Sequence, residues 1–368
     1  MTSSSTSYTF SRPRGPFAAF AFPKFRRVWL ASVIFSLGNW GERLATGWVV
    51  LNETDDVFLA AATFAVRQAP QLIFAPIGGA VADRFSRGKI MLAIGIYKAL
   101  ILTVLAIIAA NGLEPLWLVF VILGFSGIGQ SFELPAVQGM VTSSVPRAFR
   151  MNAVAVQSTG MRAVGAIGAL AAGFAIGALG VPVTFLASGS TFVIGSVLAF
   201  FANNGLQTRA VVRTESVVRD VIDGLKLMST LPIVRMILIT AVLVEIFGFA
   251  YGAVMPAVAK KALDVDSEGL GTLTMMAGIG SVLGSLFLMA LGNFRRKGLL
   301  LLGIAIAYGT FLATFSALGS YAVALVMIMG VGAAAAAFDA MQWTLLQLNV
   351  PDDMRGRAVG AWGFAIGF

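Results

Sequence analysis

The chain has 368 residues, 58% of them hydrophobic and only 12% charged, with no cysteine and no histidine. A soluble domain is nearer half apolar and a quarter charged, so more apolar surface is present than one water-soluble core could hide. Disulfides, thiolate chemistry and histidine relays are excluded, which leaves proton chemistry to Asp and Glu. The net charge of +9 would suggest nucleic acid in a soluble protein. Here the bases sit in short connections between apolar runs, so their origin is topological and no nucleic-acid partner is expected.

In chain order, residues 1–27 form a polar, basic tail, "MTSSSTSYTFSRPRGPFAAFAFPKFRR". The apolar run after it is too long for a signal-peptide core and contains Glu42 and Arg43, so it reads as a retained first helix. Runs of roughly 20 apolar residues then recur, the length that crosses a ~30 Å hydrocarbon layer. They predict helices over 28–51, 57–81, 90–111, 115–142, 153–179, 181–203, 234–259, 269–292, 298–319 and 321–349, with an eleventh starting near 356. The expected class is an all-α polytopic membrane protein with about ten full spans.

Residues 204–233 form the longest connection, a linker with Val217, Val218, Val221, Ile222 and Leu225 at the spacing of an amphipathic surface helix. It separates a six-helix bundle, 28–203, from a second and incomplete one, 234–368. An internal repeat supports that division. "SFELPAVQGMVTSSVPRAFRMNAV" precedes the fifth helix and "AAFDAMQWTLLQLNVPDDMRGRAV" the eleventh, and Pro146/Pro351, Arg150/Arg355 and Val154/Val359 match at one common offset.

Lys and Arg gather in the tail, 82–89, 143–152, 203–235, 293–298 and 350–357. The alternate loops hold Lys260 and Lys261 among the acids Glu53, Asp55, Asp56, Asp264, Asp266 and Glu268. By the positive-inside rule the first set, and the N-terminus with it, is cytoplasmic. That places a multi-pass protein in the cell's inner (plasma) membrane.

Ionisable residues within spans are candidate sites because they are costly away from water or a partner. The first helix carries Asn39, Glu42, Arg43 and Thr46 as one polar stripe, beside Trp40. The second carries Thr63, Arg67 and Gln71; the fourth Ser126, Gln130 and Glu133; the fifth Ser158 and Arg162. In the second half Glu245 lies in the seventh helix, and Asp339 and Gln342 in the tenth. The stripes are expected to line one central cavity. A carboxyl group in a low dielectric can load a proton on one side and release it on the other. Glu133 and Glu42 rank first for that role, then Asp339 and Glu245. Asn39, Trp40, Arg43, Thr46, Arg67, Gln71, Gln130, Arg162 and Gln342 are the expected cavity residues. The blander alternative is that Glu42 with Arg43, or Glu133 with Arg162, form static ion pairs. For Lys98 the blander alternative is a side chain that snorkels toward the cytoplasmic surface.

Between the second and third helices stands Gly79-x-x-x-Asp83-Arg84-x-x-Arg87-x-Lys89. It resembles the signature loop of the major facilitator superfamily, with Ser86 where a second Gly is usual and Gly88 where a base is usual. "FRRVWLASVIFSLGNWGERLATGWVV" and "FELPAVQGMV…NAVAVQSTGMRAVG" are similar to the drug- and siderophore-exporting branch, which is enterobactin-exporter-like and macrolide-efflux-like. The Gly-rich run of the fifth helix resembles the family's antiporter motif, with Ala166 where Pro is typical after Gly165.

The resemblance implies a major facilitator fold of two six-helix bundles, here with the second cut short. It also implies a conformational latch built on Gly79, Asp83, Arg84, Arg87 and Lys89. Asp83 would satisfy the N–H groups at the start of the eleventh helix, where the dipole favours an anion. The bases would pair with acids such as Asp352 and Asp353. The simpler account of the short second half is that the chain continues beyond Phe368.

No phosphate-binding Gly-x-x-x-x-Gly-Lys-Ser/Thr loop occurs, so ATP-driven transport is not expected. No nucleophile–base constellation or metal-ligand cluster is evident either. The protein is expected to be no enzyme, to need no metal or cofactor and to be a monomer. The function expected is proton-coupled efflux of small amphipathic compounds, drugs or siderophores, by alternating access. Its partners are then a small-molecule substrate, protons and the lipid bilayer. The alternatives are a lysophospholipid flippase of the same superfamily and an inactive or regulatory membrane scaffold.

Overall fold

The structure, a computed structural model, describes residues 15–203, 232–248, 250–292, 294–317 and 319–350. The linker helix, the start of the eleventh helix, Asp352 and Asp353 lie outside the described residues. Regular structure among the described residues is helical throughout. After a 3-10 turn at Ala18–Ala21 come α1 (Pro23–Thr54), α2 (Val57–Arg84), α3 (Arg87–Ala110), α4 (Leu116–Ser143), α5 (Arg150–Leu179) and α6 (Val181–Ala202). Then follow α7 (Pro232–Ala262), α8 (Ser267–Leu291), α9 (Lys297–Ala317) and α10 (Tyr321–Asn349). The ten full-length apolar runs of the sequence therefore become the expected helices, with most ends within a few residues of those expected.

Local chemistry sets the turns. The α1–α2 turn closes in two residues: Asp55 takes a left-handed conformation, φ 53°, and the Asp56 carboxylate accepts from the N–H groups of Phe58 and Leu59. Asp266 caps α8 in the same way, accepting from Glu268 and Gly269. Both caps occupy donors that the first helical turn leaves free.

Nine helices among the described residues are long and apolar enough to cross a membrane. α1 is not among them. Its 32 residues would rise about 48 Å, ample for a span, but the Asn39–Thr46 stripe dilutes its apolar character. That polar helix sits at the heart of the first six, packed against α2, α5 and α6. In the second set α10 packs on α7, α8 and α9. The sets meet where α5 lies on α8 and where α1 and α2 lie on α7.

Two features shape the second set. α7 is interrupted: π-helical turns at Val244–Gly248 and Val258–Ala262 flank an α-helical piece, Tyr251–Ala257, that contains Pro256. Proline supplies no N–H, and π turns absorb the mismatch. α8 and α10 approach backbone to backbone: a Cβ on Gly280, Gly284 or Gly332 would fall about 2 Å from the carbonyl oxygens of Met329, Ala333 and Ala277 respectively. Helices in lipid gain no hydrophobic drive from one another, so such close approach is what holds them.

The helix order alternates, so one end of the bundle is basic, with Arg84, Lys89, Arg147 and Arg295. The other is acidic, with Glu53, Asp56, Asp264 and Glu268. The halves are tied at the acidic end. Lys261 Nζ lies 3.1 Å from an Asp55 carboxylate oxygen, and Lys260 donates to Asn52 Oδ1 at 3.1 Å. Gly173 of α5 packs against Ser267 and Gly271 of α8.

Gly284→Leu should force α8 from α10 and lower the thermal midpoint of the purified protein, an overpacking cost of about 1–3 kcal/mol. Gly303→Leu, where an added Cβ meets nothing, should leave it unchanged.

Candidate functional site

The polar stripe of α1 splits between two sites, because consecutive helical residues point about 100° apart. Glu42 turns into the first bundle and is fully buried. Its carboxylate lies 3.3 Å from Arg67 Nε of α2 and 3.2 Å from Lys98 Nζ of α3, and it accepts a short hydrogen bond from Ser126 of α4. Asn39, one turn earlier, joins this cluster to a second acid. Its carbonyl oxygen accepts from Lys98 Nζ at 2.7 Å and Arg67 Nη2 at 3.1 Å, while its amide donates to Glu133 Oε1 at 3.0 Å. Two acids and two bases from four helices thus balance in one network.

The partners differ from those of the static-pair alternative. Glu42 pairs with Arg67 and Lys98, not Arg43, and Glu133 meets Asn39 rather than Arg162. Lys98 does not snorkel: its side chain is fully buried, bonded to Glu42 and set 4.4 Å from the Phe192 ring centroid. It stands about 17 Å along α3, too deep to reach a surface.

Arg43 faces the other way, into a cavity of about 310 Å³ between the two halves. Trp40 and Arg43 of α1, Arg162 and Ala166 of α5, Tyr251 and Met255 of α7, Thr274 and Ser281 of α8 and Asp339 of α10 all contribute to its wall. The stripes therefore do not line one shared cavity. A small void of about 30 Å³, bordered by Arg43, Thr46, Thr63, Phe64 and Arg67, lies between cavity and network. That is room for about one water molecule.

The remaining expected residues fall elsewhere. Gln342 is buried, its amide donating to Thr240 of α7 at 3.1 Å. Gln71 donates to Gln68, and the Gln130 carbonyl oxygen is buried without a hydrogen bond among the described residues. Glu245, in the first π turn of α7, is within electrostatic reach of Asp339 but is not part of the cavity wall. Phe64, which carries the Arg43 guanidinium on its ring, and Gly252, against which that guanidinium packs, had no signal in the sequence.

In the loop between α2 and α3, Arg87 is the organising residue. It donates to the carbonyls of Gly139 at 2.8 Å and Ala82 at 3.3 Å, and lies 3.8 Å from Asp83. Ser86 accepts from Asn203 of α6. Arg84 and Lys89 are exposed. A Cβ on Gly79 would meet nothing, whereas one on Gly78 would strike the Ser131 carbonyl of α4, so Gly78 sets the close approach.

Removing one partner from a buried ion pair leaves the other uncompensated, at a cost on the order of 3–5 kcal/mol. Lys98→Met alone should therefore sharply reduce the yield of folded protein. Glu42→Gln combined with Lys98→Met keeps the network neutral and should recover most of it, as read by monodispersity and thermal midpoint in detergent.

Comparison with known proteins agrees with this architecture. A family model described as transmembrane secretion effector matches residues 14–365. The chain is 26% identical to the staphyloferrin A transporter of Staphylococcus aureus over 70% of its own length, and spans 65% of that relative. It is 25% identical to the enterobactin exporter of Shigella boydii over 92% of its length and 81% of that protein. In fold it is similar to a bacterial homologue of the human lysosomal transporter Spinster, in an inward-facing and unoccupied conformation. The TM-score is 0.70 at 17% identity, over 94% of this chain and 80% of that one. The chain is a multi-pass membrane transporter and belongs to the transmembrane secretion effector family of the major facilitator superfamily.

Proposed function

We propose that this protein is a proton-coupled exporter of small amphipathic compounds that works by alternating access, with its basic end in the cytoplasm of a bacterial cell. The observation that carries the reading is the cavity built jointly by both halves, with cross-half contacts toward the acidic end of the bundle. The close contacts between halves lie on that side: Lys261 with Asp55, Gly47 with Pro256, and Gly173 with Gly271. A rocking motion of the halves would break these contacts and open the cavity to the other face. The similarity to a siderophore transporter and an enterobactin exporter supports outward movement of a small molecule.

Within the network, Glu133 is the acid suited to carry the proton. Protonating Glu42 would strand Lys98 and Arg67 at full burial, a heavy cost in this environment. Protonating Glu133 changes one hydrogen-bonded contact, with the Asn39 amide, and leaves both cations paired with Glu42. Glu133 is also partly exposed, whereas Glu42 is not. Asn39 then links loading at Glu133 to the pairing of Arg67 and Lys98.

Cells producing the full-length protein should retain less of an amphipathic dye than cells without it, and an uncoupler should abolish the difference. Glu133→Gln should remove at least about tenfold of the uncoupler-sensitive efflux, and Glu133→Asp should keep part of it. Unchanged efflux in folded Glu133→Gln protein would refute the assignment, and altered lysolipid uptake with unchanged dye retention would refute export. The absence of native cysteine makes orientation directly readable. An impermeant maleimide should label Glu53→Cys in intact cells, and Arg295→Cys only after the membrane is opened.

A further inference from the structure

Among the described residues, the cavity between the halves carries two cations without an ion-pair partner. Among the described residues, Arg43 makes no hydrogen bond and no ion pair; its guanidinium is held between aromatic rings, 5.2 Å from the Trp40 centroid and 4.7 Å from that of Phe64. Arg162, exposed on the cavity wall, also makes none. Asp339, across the cavity, is within electrostatic reach of Arg162 but forms no ion pair with it. Glu245, the other nearby acid, stands outside the wall. The wall thus presents two guanidinium groups against one carboxylate.

Such an excess is costly to maintain in a bundle surrounded by lipid unless something compensates it. The first bundle shows how this chain treats a cation meant to stay occupied by protein. Lys98 and Arg67 are each given Glu42 and Asn39 as partners. Arg43, the residue next to Glu42, is given flat rings and no hydrogen-bonding partner among the described residues. A guanidinium offers five N–H donors in a rigid fork that matches a carboxylate or similar planar anion. Trp40, Tyr251 and Met255 supply flat or pliable apolar surface on the same wall.

We infer that the cavity selects an anion: a compound with at least one carboxylate-like group joined to an aromatic or flat apolar body. The anionic group sits on Arg43 and Arg162, and the body lies against Trp40, Tyr251 and Met255. This rests on the cavity being the transport site, and it narrows the proposed substrate class from amphipathic compounds in general to anionic ones. Gly252 keeps the receptor open. A Cβ there would lie 3.1 Å from Arg43 Nη2, so a larger residue would push the guanidinium off its plane.

The test uses the purified full-length protein in lipid nanodiscs and three probes of one shape: 1-naphthoate, neutral 1-naphthamide and cationic 1-naphthylmethylammonium. Calorimetric titration of the unaltered protein should show saturable binding of the naphthoate, with the amide and the ammonium weaker by about tenfold or more. Arg43→Gln and, separately, Arg162→Gln should each weaken naphthoate binding by about tenfold with little effect on the amide. Arg295→Gln, on a surface loop, should change nothing. Equal binding of the three probes, preference for the ammonium, or no saturable binding of naphthoate would overturn the inference. The unaltered protein alone decides that point, whatever the variants do to folding. Naphthoate selectivity without dye efflux in cells would instead sink the export reading and leave the anion site standing.

Discussion

A fully buried carboxylate held by two cations is the constraint on which the first half of this transporter depends. Glu42 cannot lie in the interior of a lipid-embedded bundle alone, and neither can Lys98 or Arg67. Their mutual pairing through Ser126 and Asn39 requires α1, α2, α3 and α4 to keep fixed rotations about their axes. Apolar packing alone would tolerate several rotations, because lipid rewards no particular apolar face. The ionic network therefore acts as a register for the first bundle, a use of buried charge that is better supported than any gain in stability.

With that register set, the adjacent residue is set as well. Turning Glu42 inward directs Arg43 toward the opposite half, onto the rings of Trp40 and Phe64. One dipeptide thus divides its labour: the acid locks a bundle and the base furnishes the cavity. The small void shared by Arg43 and Arg67 is where the two regions come nearest.

The second half is built on other terms. Its helices hold through glycine-mediated backbone contact between α8 and α10, and in α7 two π turns flank the α-helical piece that faces α1 and α2. The two lysines that interrupt the acidic loops find their reason here. Lys260 and Lys261 reach Asn52 and Asp55 across the boundary between halves. A pair on a solvent-exposed rim contributes little energy, which suits a contact that must open.

Much of the fold was legible in the residues alone. Lipid-length apolar runs, their count and the alternation of basic and acidic loops follow from the cost of leaving backbone polar groups or charges in hydrocarbon. Glu42, Arg43, Arg67, Glu133 and Asp339 stood out for the same reason. What only the tertiary structure decided was how these charges pair. A membrane helix is apolar on nearly every face, so periodicity barely reports which side meets protein. The rotation of each helix comes from close packing with its neighbours. Lys98 therefore lay hidden as a partner of Glu42, Gln342 was taken for a cavity residue when it bridges to Thr240, and one expected polar chamber became a locked network beside a separate, open-handed pair of arginines.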